Sequence, residues 1–436
     1  MRTVLDLVRR CWRQLAVAAL LTGIFAGWLC YESRWAIHAA RLARTAAADK
    51  TVPPKVPAPP ADMEHLKLYL PKALYAFPGI ELKVYFESLV PPALADQLLF
   101  QVKCPAGTTA RRYWSATFTP DQSGVHPWEI IVSNFAGREL ARATCEVRVA
   151  QTAAGQGKHL RLLIVGDSLT HATWYSNRLS DLCERPGNPQ LEMIGTHKPA
   201  WAKPGVAHEG YNGWTWAHFL RHDMPGKFLN GTPDKSPFLF RDSVGGKPKF
   251  DLPRYLRETS PAGLPDLVIF QLGINDVFSQ LPYEGYLFSP DDDRLTPNID
   301  QLLQEFRAAA PQTSLAIWLT QPVNATQESF ESSYRGLEDY RGIQRNKMAL
   351  RQHWIADQIL HRYGGRESEG LYLIPMSATV DPLDDFPASD SVHPSIPGYQ
   401  RIGEGTYAWI KWWIDDASGA AARLELASKP ATTEKK

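Results

Sequence analysis

Ser168, Asp390 and His393 are the residues of this 436-residue chain whose types and spacing can do chemistry together. Gly166-Asp167-Ser168-Leu169 directly follows the apolar run 160–165, and Asp390-Ser391-Val392-His393-Pro394 lies far downstream. A serine hydroxyl is a poor nucleophile at neutral pH unless an imidazole takes its proton, and the imidazole needs a carboxylate to fix its tautomer and orientation. An Asp three residues before a His supplies both parts from one short turn. The chemistry this combination offers is acyl transfer through a covalent serine intermediate.

The surroundings of Ser168 do not read G-x-S-x-G, so the nucleophile elbow of the α/β-hydrolases is absent. Two further segments point elsewhere. Gly210-Tyr211-Asn212-Gly213-Trp214-Thr215 lies in a loop, and Gly273-Ile274-Asn275-Asp276 follows the apolar run 267–272. With these, the chain resembles the SGNH (GDSL-type) hydrolase superfamily, whose four motif blocks occur in this order. The resemblance implies Ser168 as nucleophile, His393 as general base and Asp390 as its orienting partner. It also implies an oxyanion hole made of the Ser168 and Gly213 amides and the Asn275 side chain, with no metal and no organic cofactor. Donors fixed in advance lower the energy of the tetrahedral state, and losing one typically costs about 2.7–4 kcal/mol in the barrier.

The string His208-Glu209-Gly210-Tyr211-Asn212-Gly213-Trp214-Thr215-Trp216 is similar to the second motif block of acetylxylan-esterase-like carbohydrate esterases. That resemblance implies an O-acetyl ester on a carbohydrate or glycan as substrate. Trp174, Trp214 and Trp216 are the candidate substrate-binding residues, because aromatic faces stack on the C–H faces of sugars; packing in the core is the competing role for each. Other acyl chemistry fits the same residues: a lysophospholipase or lipid-type esterase, or a polysaccharide O-acetyltransferase. A non-catalytic glycan-binding protein is the reading from a different class, and the complete catalytic set argues against it. His171 and His208 have no partner in view and read as structural or merely exposed ahead of a substrate contact, while Asp167 and Asp276 read as loop braces.

Strand-like runs at 160–165, 191–195, 267–272, 314–320 and 371–375 alternate with helical patterns at 298–310, 339–363 and 399–414. Tyr175, Leu179, Leu182 and Cys183 recur at helical spacing, so Ser168 stands between a strand and a helix. This reads as a three-layer α/β/α, flavodoxin-like hydrolase domain with a parallel sheet over 158–417, its site at the carboxyl ends of the strands. Short β-like runs separated by turn signals fill 62–150 and read as a small all-β sandwich, either glycan-binding or a spacer. Insertions at 221–262 and 278–297 leave the strand ends and read as walls or a lid. The second carries Asp291-Asp292-Asp293, without the ligand spacing of a calcium loop.

Residues 15–31 are uncharged and apolar, flanked by Trp12, Arg13 and Trp35, and read as a short membrane-spanning anchor rather than a cleaved signal. A basic tail, 1–14, precedes it, and a Pro-rich linker closes the segment 32–61. Arg2, Arg9, Arg10 and Arg13 before the span balance Arg34, Arg41, Arg44 and Lys50 after it, so the count does not set orientation; the closer packing of the amino-terminal charges favours an extracytoplasmic catalytic domain. The net charge of +1 and the lack of a basic, aromatic-interleaved stripe argue against a nucleic-acid partner. None of the five cysteines sits in a C-x-x-C pair, and Cys104 and Cys145 can be read either as a disulfide or as two buried thiols. Residues 418–436 read as a disordered tail.

Overall fold

Between residues 73 and 149 the chain runs through seven strands. They are β1 (Ala73–Ala76), β2 (Glu81–Tyr85), β3 (Leu99–Lys103), β4 (Thr108–Thr109), β5 (Tyr113–Thr117), β6 (Gly124–Ser133) and β7 (Glu139–Val149). One sheet has the order β1-β7-β6-β3 and a second the order β2-β5-β4. Side chains alternate across a strand, so Trp128, Ile130 and Val132 of β6 share one buried face. They join Val84, Trp114 and Ala116 of the other sheet in a common core, where the Trp114 and Trp128 rings meet edge to face at 6.0 Å.

The computed structural model describes residues 66–225, 232–243, 246–279, 295–333 and 343–428. The tail 1–14, the apolar span 15–31 and the linker 32–61 lie outside them, as do Tyr283, Tyr286, Phe288 and Asp291-Asp292-Asp293. Among the described residues no helix is long and apolar enough to cross a membrane. The β-rich region and the described residues that follow it belong to one compact unit. Cys104, Cys145 and Cys183 are free thiols.

After residue 158 the chain forms β8 (His159–Gly166), β9 (Gln190–Ile194), β10 (Glu209–Gly210), β11 (Leu239–Phe240), β12 (Lys249–Phe250), β13 (Leu267–Gln271), β14 (Ser314–Trp318) and β15 (Leu371–Ile374). β11 and β12 make a small hairpin inside the insertion after residue 221. The rest form a parallel sheet in the order β10-β8-β13-β14-β15, with β9 on the same edge of β8 as β10. The five long runs predicted as strands are therefore the sheet. Every residue of β13 is buried, which requires cover on both faces. Phe270 and Ile317 are register partners and share a face, so Trp318 projects from the other. Phe270 meets Trp216 and Phe306, whereas Trp318 meets Tyr175.

Among the described residues after 158 the helices are α1 (Ser168–His171), α2 (Trp174–Cys183), α3 (Trp216–Arg221), α4 (Leu252–Thr259), α5 (Ile274–Ser279), α6 (Thr296–Ala309), α7 (Gln327–Ser333), α8 (Ile343–Tyr363), α9 (Met376–Thr379) and α10 (Ile396–Ser428). α2 packs on α10, α3 and α4 on α6, and α5 on α8. α10 corrects the expectation of a disordered tail from 418: the helix continues to Ser428. Ala420-Ala421-Ala422 followed by Arg423, Leu424, Glu425 and Leu426 are strong helix formers, and Pro430 stands just beyond the end.

The turn that carries Ser168 depends on two glycines. A Cβ on Gly166 would lie 1.9 Å from Thr170 Oγ1, and one on Gly210 would lie 2.5 Å from the Thr170 Cβ and 2.8 Å from the His171 amide. The ends of β8 and β10 thus grip α1 with no room for a methyl group. Gly210→Ala should lower the unfolding free energy by about 1–3 kcal/mol, the usual penalty for overpacking. Urea denaturation of the purified protein measures it; wild-type stability would show that the turn is looser than described.

Candidate active site

Ser168 opens α1 immediately beyond the carboxyl end of β8, and the preceding Asp167 caps the helix with a 3.0 Å bond from the Leu169 amide to Oδ1. His393 Nε2 lies 2.9 Å from Ser168 Oγ, and His393 Nδ1 lies 3.0 Å from Asp390 Oδ2. The other Asp390 oxygen accepts the Val392 and His393 amides at 2.9 Å each. One carboxylate therefore shapes its own turn and orients the ring. Partial burial pushes Asp390 up, but those hydrogen bonds and the His393 charge hold it below its ordinary value. Burial likewise pushes His393 down, and the bond and charge of Asp390, with Asp167 behind them, more than offset it; the imidazole sits above its ordinary 6.5. This geometry can draw a proton from Ser168 and return it to a leaving alkoxide.

Gly213 has a φ of +75°, a left-handed conformation that glycine adopts without penalty. The Asn275 side-chain amide donates to the carbonyl of the next residue, Trp214, at 3.0 Å. That bond ties the start of α5 to the loop after β10, so Ser168, Gly213 and Asn275 all stand at the carboxyl ends of adjacent strands β8, β10 and β13. Asp276, beside Asn275, is buried and pushed up to about 7 by that burial, with the Trp216 amide pulling the other way. Asp167 is also pushed up to about 7 by burial.

Glu209 is one residue whose role sequence reasoning missed. Fully buried in β10, it accepts the Thr196 amide at 2.6 Å, the Thr196 hydroxyl at 3.0 Å and the Tyr255 hydroxyl at 2.6 Å, and the Tyr211 hydroxyl as well. Burial raises its pKa against the pull of those donors. It anchors the loop that carries Gly213 to both the segment after β9 and α4. The only advance signal was its place in the His-Glu-Gly string, which carries no information about burial.

His171 and His208 belong to a stack. His171 Nδ1 lies 2.8 Å from His197 Nε2, the His197 and His208 rings are 5.3 Å apart, and His208 Nε2 lies 3.0 Å from the Thr173 hydroxyl. Burial pushes His197 down to about 4 and His208 down to about 3, so both are neutral in ordinary buffers. Thr173, at the turn between α1 and α2, has a φ of +67°, a strained conformation for a β-branched residue. Its hydroxyl bonds to His208 and to the His171 carbonyl and hold it there.

The substrate-binding candidates need correction. Trp214 is 2% and Trp216 0% exposed, packed against Tyr211 and Phe219 and against Phe270 respectively. Their large apolar rings gain more from core packing than from water, so they support the Gly213 loop from within the core. Trp174 is 38% exposed, and Trp201, which the sequence reading did not single out, is 48% exposed. The Trp201 indole N–H donates to the Ala172 carbonyl at 3.0 Å, and the Ala172 amide donates to the Ser168 carbonyl at 2.9 Å. Its ring is therefore tied to the residue one helical turn beyond Ser168. Among the described residues no group of three or more His, Cys, Asp or Glu is arranged to hold a metal ion.

Solved structures similar to this chain include a carbohydrate esterase family 3 from Talaromyces cellulolyticus, at 17% identity over 59% of this chain and 99% of that one, with a TM-score of 0.35. Others are Est24, a carbohydrate acetylesterase from Sinorhizobium meliloti (16%, 58% and 98%, TM-score 0.30), and an inhibitor-bound M. smegmatis aryl esterase (14%, 58% and 98%, TM-score 0.31). No curated protein matches the chain. Residues 164–401 match the GDSL-like lipase/acylhydrolase family. The match starts inside β8, ends within α10 beyond His393 and covers more than half of the chain, so this protein belongs to the GDSL-like lipase/acylhydrolase family and is a carboxylic ester hydrolase.

Proposed function

We propose that Ser168, His393 and Asp390 are the catalytic triad of an esterase that removes O-acetyl groups from a carbohydrate or glycan. The observation that carries the reading is the continuous line of hydrogen bonds from Ser168 Oγ through His393 to Asp390, at 2.9 and 3.0 Å. Ser168 attacks the acyl carbon while His393 takes its proton. The negative charge that builds on the carbonyl oxygen is met by the Ser168 and Gly213 amides and the Asn275 side chain. His393 then protonates the leaving alkoxide, and water clears the acyl-enzyme by the same steps in reverse. No metal or organic cofactor enters this chemistry.

The substrate class rests on two supports: the His208-Glu209-Gly210 string before the glycine loop, and the exposed faces of Trp174 and Trp201 close to the nucleophile's helix. A sugar ring can stack on such a face while its hydroxyls stay in water. The region 62–150, with two sheets over one core, we take as a small β-sandwich. The apolar segment 15–31 we take as a membrane anchor that leaves the esterase on the extracytoplasmic side.

Two expectations follow for the triad. The working form of His393 is neutral, so kcat/KM should rise with pH through an apparent pKa above the ordinary 6.5 and be lost as pH falls below it. Asp390→Asn removes the partner that raises the imidazole, so it should move this acid limb to lower pH and cut kcat by about 10⁴-fold. Rates on p-nitrophenyl acetate across pH measure both; an unchanged limb in Asp390→Asn would separate Asp390 from His393.

Acyl length and aromatic substitution test the substrate. Rates should fall from acetate to octanoate esters. A lipid groove would do the opposite, gaining about 0.8 kcal/mol, near fourfold, per buried methylene. Trp201→Ala should raise KM for acetylated oligosaccharides about fivefold, for a stacking contact of about 1 kcal/mol, and leave p-nitrophenyl acetate kinetics unchanged. A rate that climbs with acyl length, or a Trp201→Ala enzyme with wild-type KM on the oligosaccharide, would count against the carbohydrate reading.

A further inference from the structure

The chain between β15 and α10 carries both Asp390 and His393, and its only regular element is the single turn α9. Its position must be set from outside: Ser333 Oγ accepts the Ser391 amide at 3.0 Å, and Arg112 and Asn324 hold the segment at two further places. At its root, Arg112 donates from Nε to Glu87 Oε1 at 2.8 Å and from Nη2 to Asp381 Oδ1 at 2.5 Å. Glu87 and Arg112 belong to the β-rich region, in the turn after β2 and the turn before β5. Asp381 is buried and takes the Leu383 amide at 2.9 Å. Its own amide donates at 2.8 Å to Asp385, which Arg401 of α10 holds at 2.8 Å.

Towards the tip, Asn324 holds the turn itself. Its Nδ2 donates to the carbonyls of Pro387 and Asp390 at 3.0 Å each, and its backbone amide donates to the Ser391 carbonyl at 2.9 Å. Its Oδ1 is occupied by the Thr326 amide at 2.9 Å, which fixes the direction of the side chain. The preceding Val323 amide is pinned by Gln352 of α8 at 2.8 Å. Glu87, Arg112 and Asn324 line one cleft of about 370 Å³, with Pro382 and Leu383 from the segment between them.

We infer that Arg112 and Asn324 are positioning residues for the Asp390–His393 turn, and that the β-rich region is therefore a working part of the active site rather than a spacer. The inference rests on the reading of Ser168, Asp390 and His393 as a triad. Displacing a catalytic group by about 1 Å can cost 10²-fold in rate, and this turn has no strand of its own to prevent such a shift. His393 is faced by Asp390 from its own turn and by Asp167 from the end of β8. Loosening the turn weakens the first of these and leaves the second.

The test uses the full chain with Arg112→Gln, Asn324→Ala and, as a control on the triad, Ser168→Ala. With p-nitrophenyl acetate, Arg112→Gln and Asn324→Ala should each lower kcat about 10- to 100-fold, leave KM within about twofold, and move the acid limb of kcat/KM to lower pH. A purely structural role would lower the thermal midpoint without moving that limb. Wild-type kcat and an unmoved limb in both variants, beside an inactive Ser168→Ala, would overturn the inference and leave the triad standing. Full activity in folded Ser168→Ala would overturn the triad and the inference together. Should Asn324→Ala fail to fold, Arg112→Gln, whose side chain is partly exposed, decides by the same readouts.

Discussion

The structure turns on one hydrogen bond between residues 225 positions apart, from Ser168 Oγ to His393 Nε2. Its two ends are held by different physics. Ser168 comes from the tight turn just beyond a buried inner strand, where Gly166 and Gly210 let β8, α1 and β10 approach without a methyl group between them. His393 comes from an irregular segment that must be tied down residue by residue. Polar side chains do that work because a turn has few backbone partners of its own.

Polar groups are buried around the site in a consistent way. Glu209 is fully buried, and its carboxylate satisfies two tyrosines and a threonine that would otherwise be costly to desolvate. The histidine stack of 171, 197 and 208 supports the other side of α1 as neutral rings, since burial depresses His197 and His208 far below the range in which they would charge. Of the four histidines around the site, His393 alone is raised by a carboxylate. Thr173 is strained at a positive φ between these elements, and such strain persists only where surrounding contacts over-determine it.

What the sequence made legible follows from the range of the physics involved. Strands covered on both faces are nearly unbroken apolar runs, so β8, β13, β14 and β15 could be read almost to the residue. That Ser168, Asp390 and His393 would meet was legible because motif and chemistry coincide. Trp214 and Trp216 were misread because their position beside a glycine loop says nothing about exposure; the structure turns both inward. Trp201 lies in a polar stretch, Lys198-Pro199-Ala200-Trp201-Ala202-Lys203-Pro204, with no periodicity, and a lone Trp among lysines and prolines was its only signal. Asn324 and Arg112 act through partners 63 to 269 positions away, and no local pattern encodes that. The helix past 417 was hidden by Ser418 and Gly419, which read as the start of a tail before the alanine run resumes.

The central claim is that Ser168 is the nucleophile, and covalent trapping tests it most directly. Full-length protein treated with a fluorophosphonate ester, followed by intact-mass measurement and peptide mapping, should carry a single adduct on Ser168. The adduct should be absent from Ser168→Ala and form far more slowly in His393→Ala. An adduct on any other residue, or none while ester hydrolysis continues, would contradict the account.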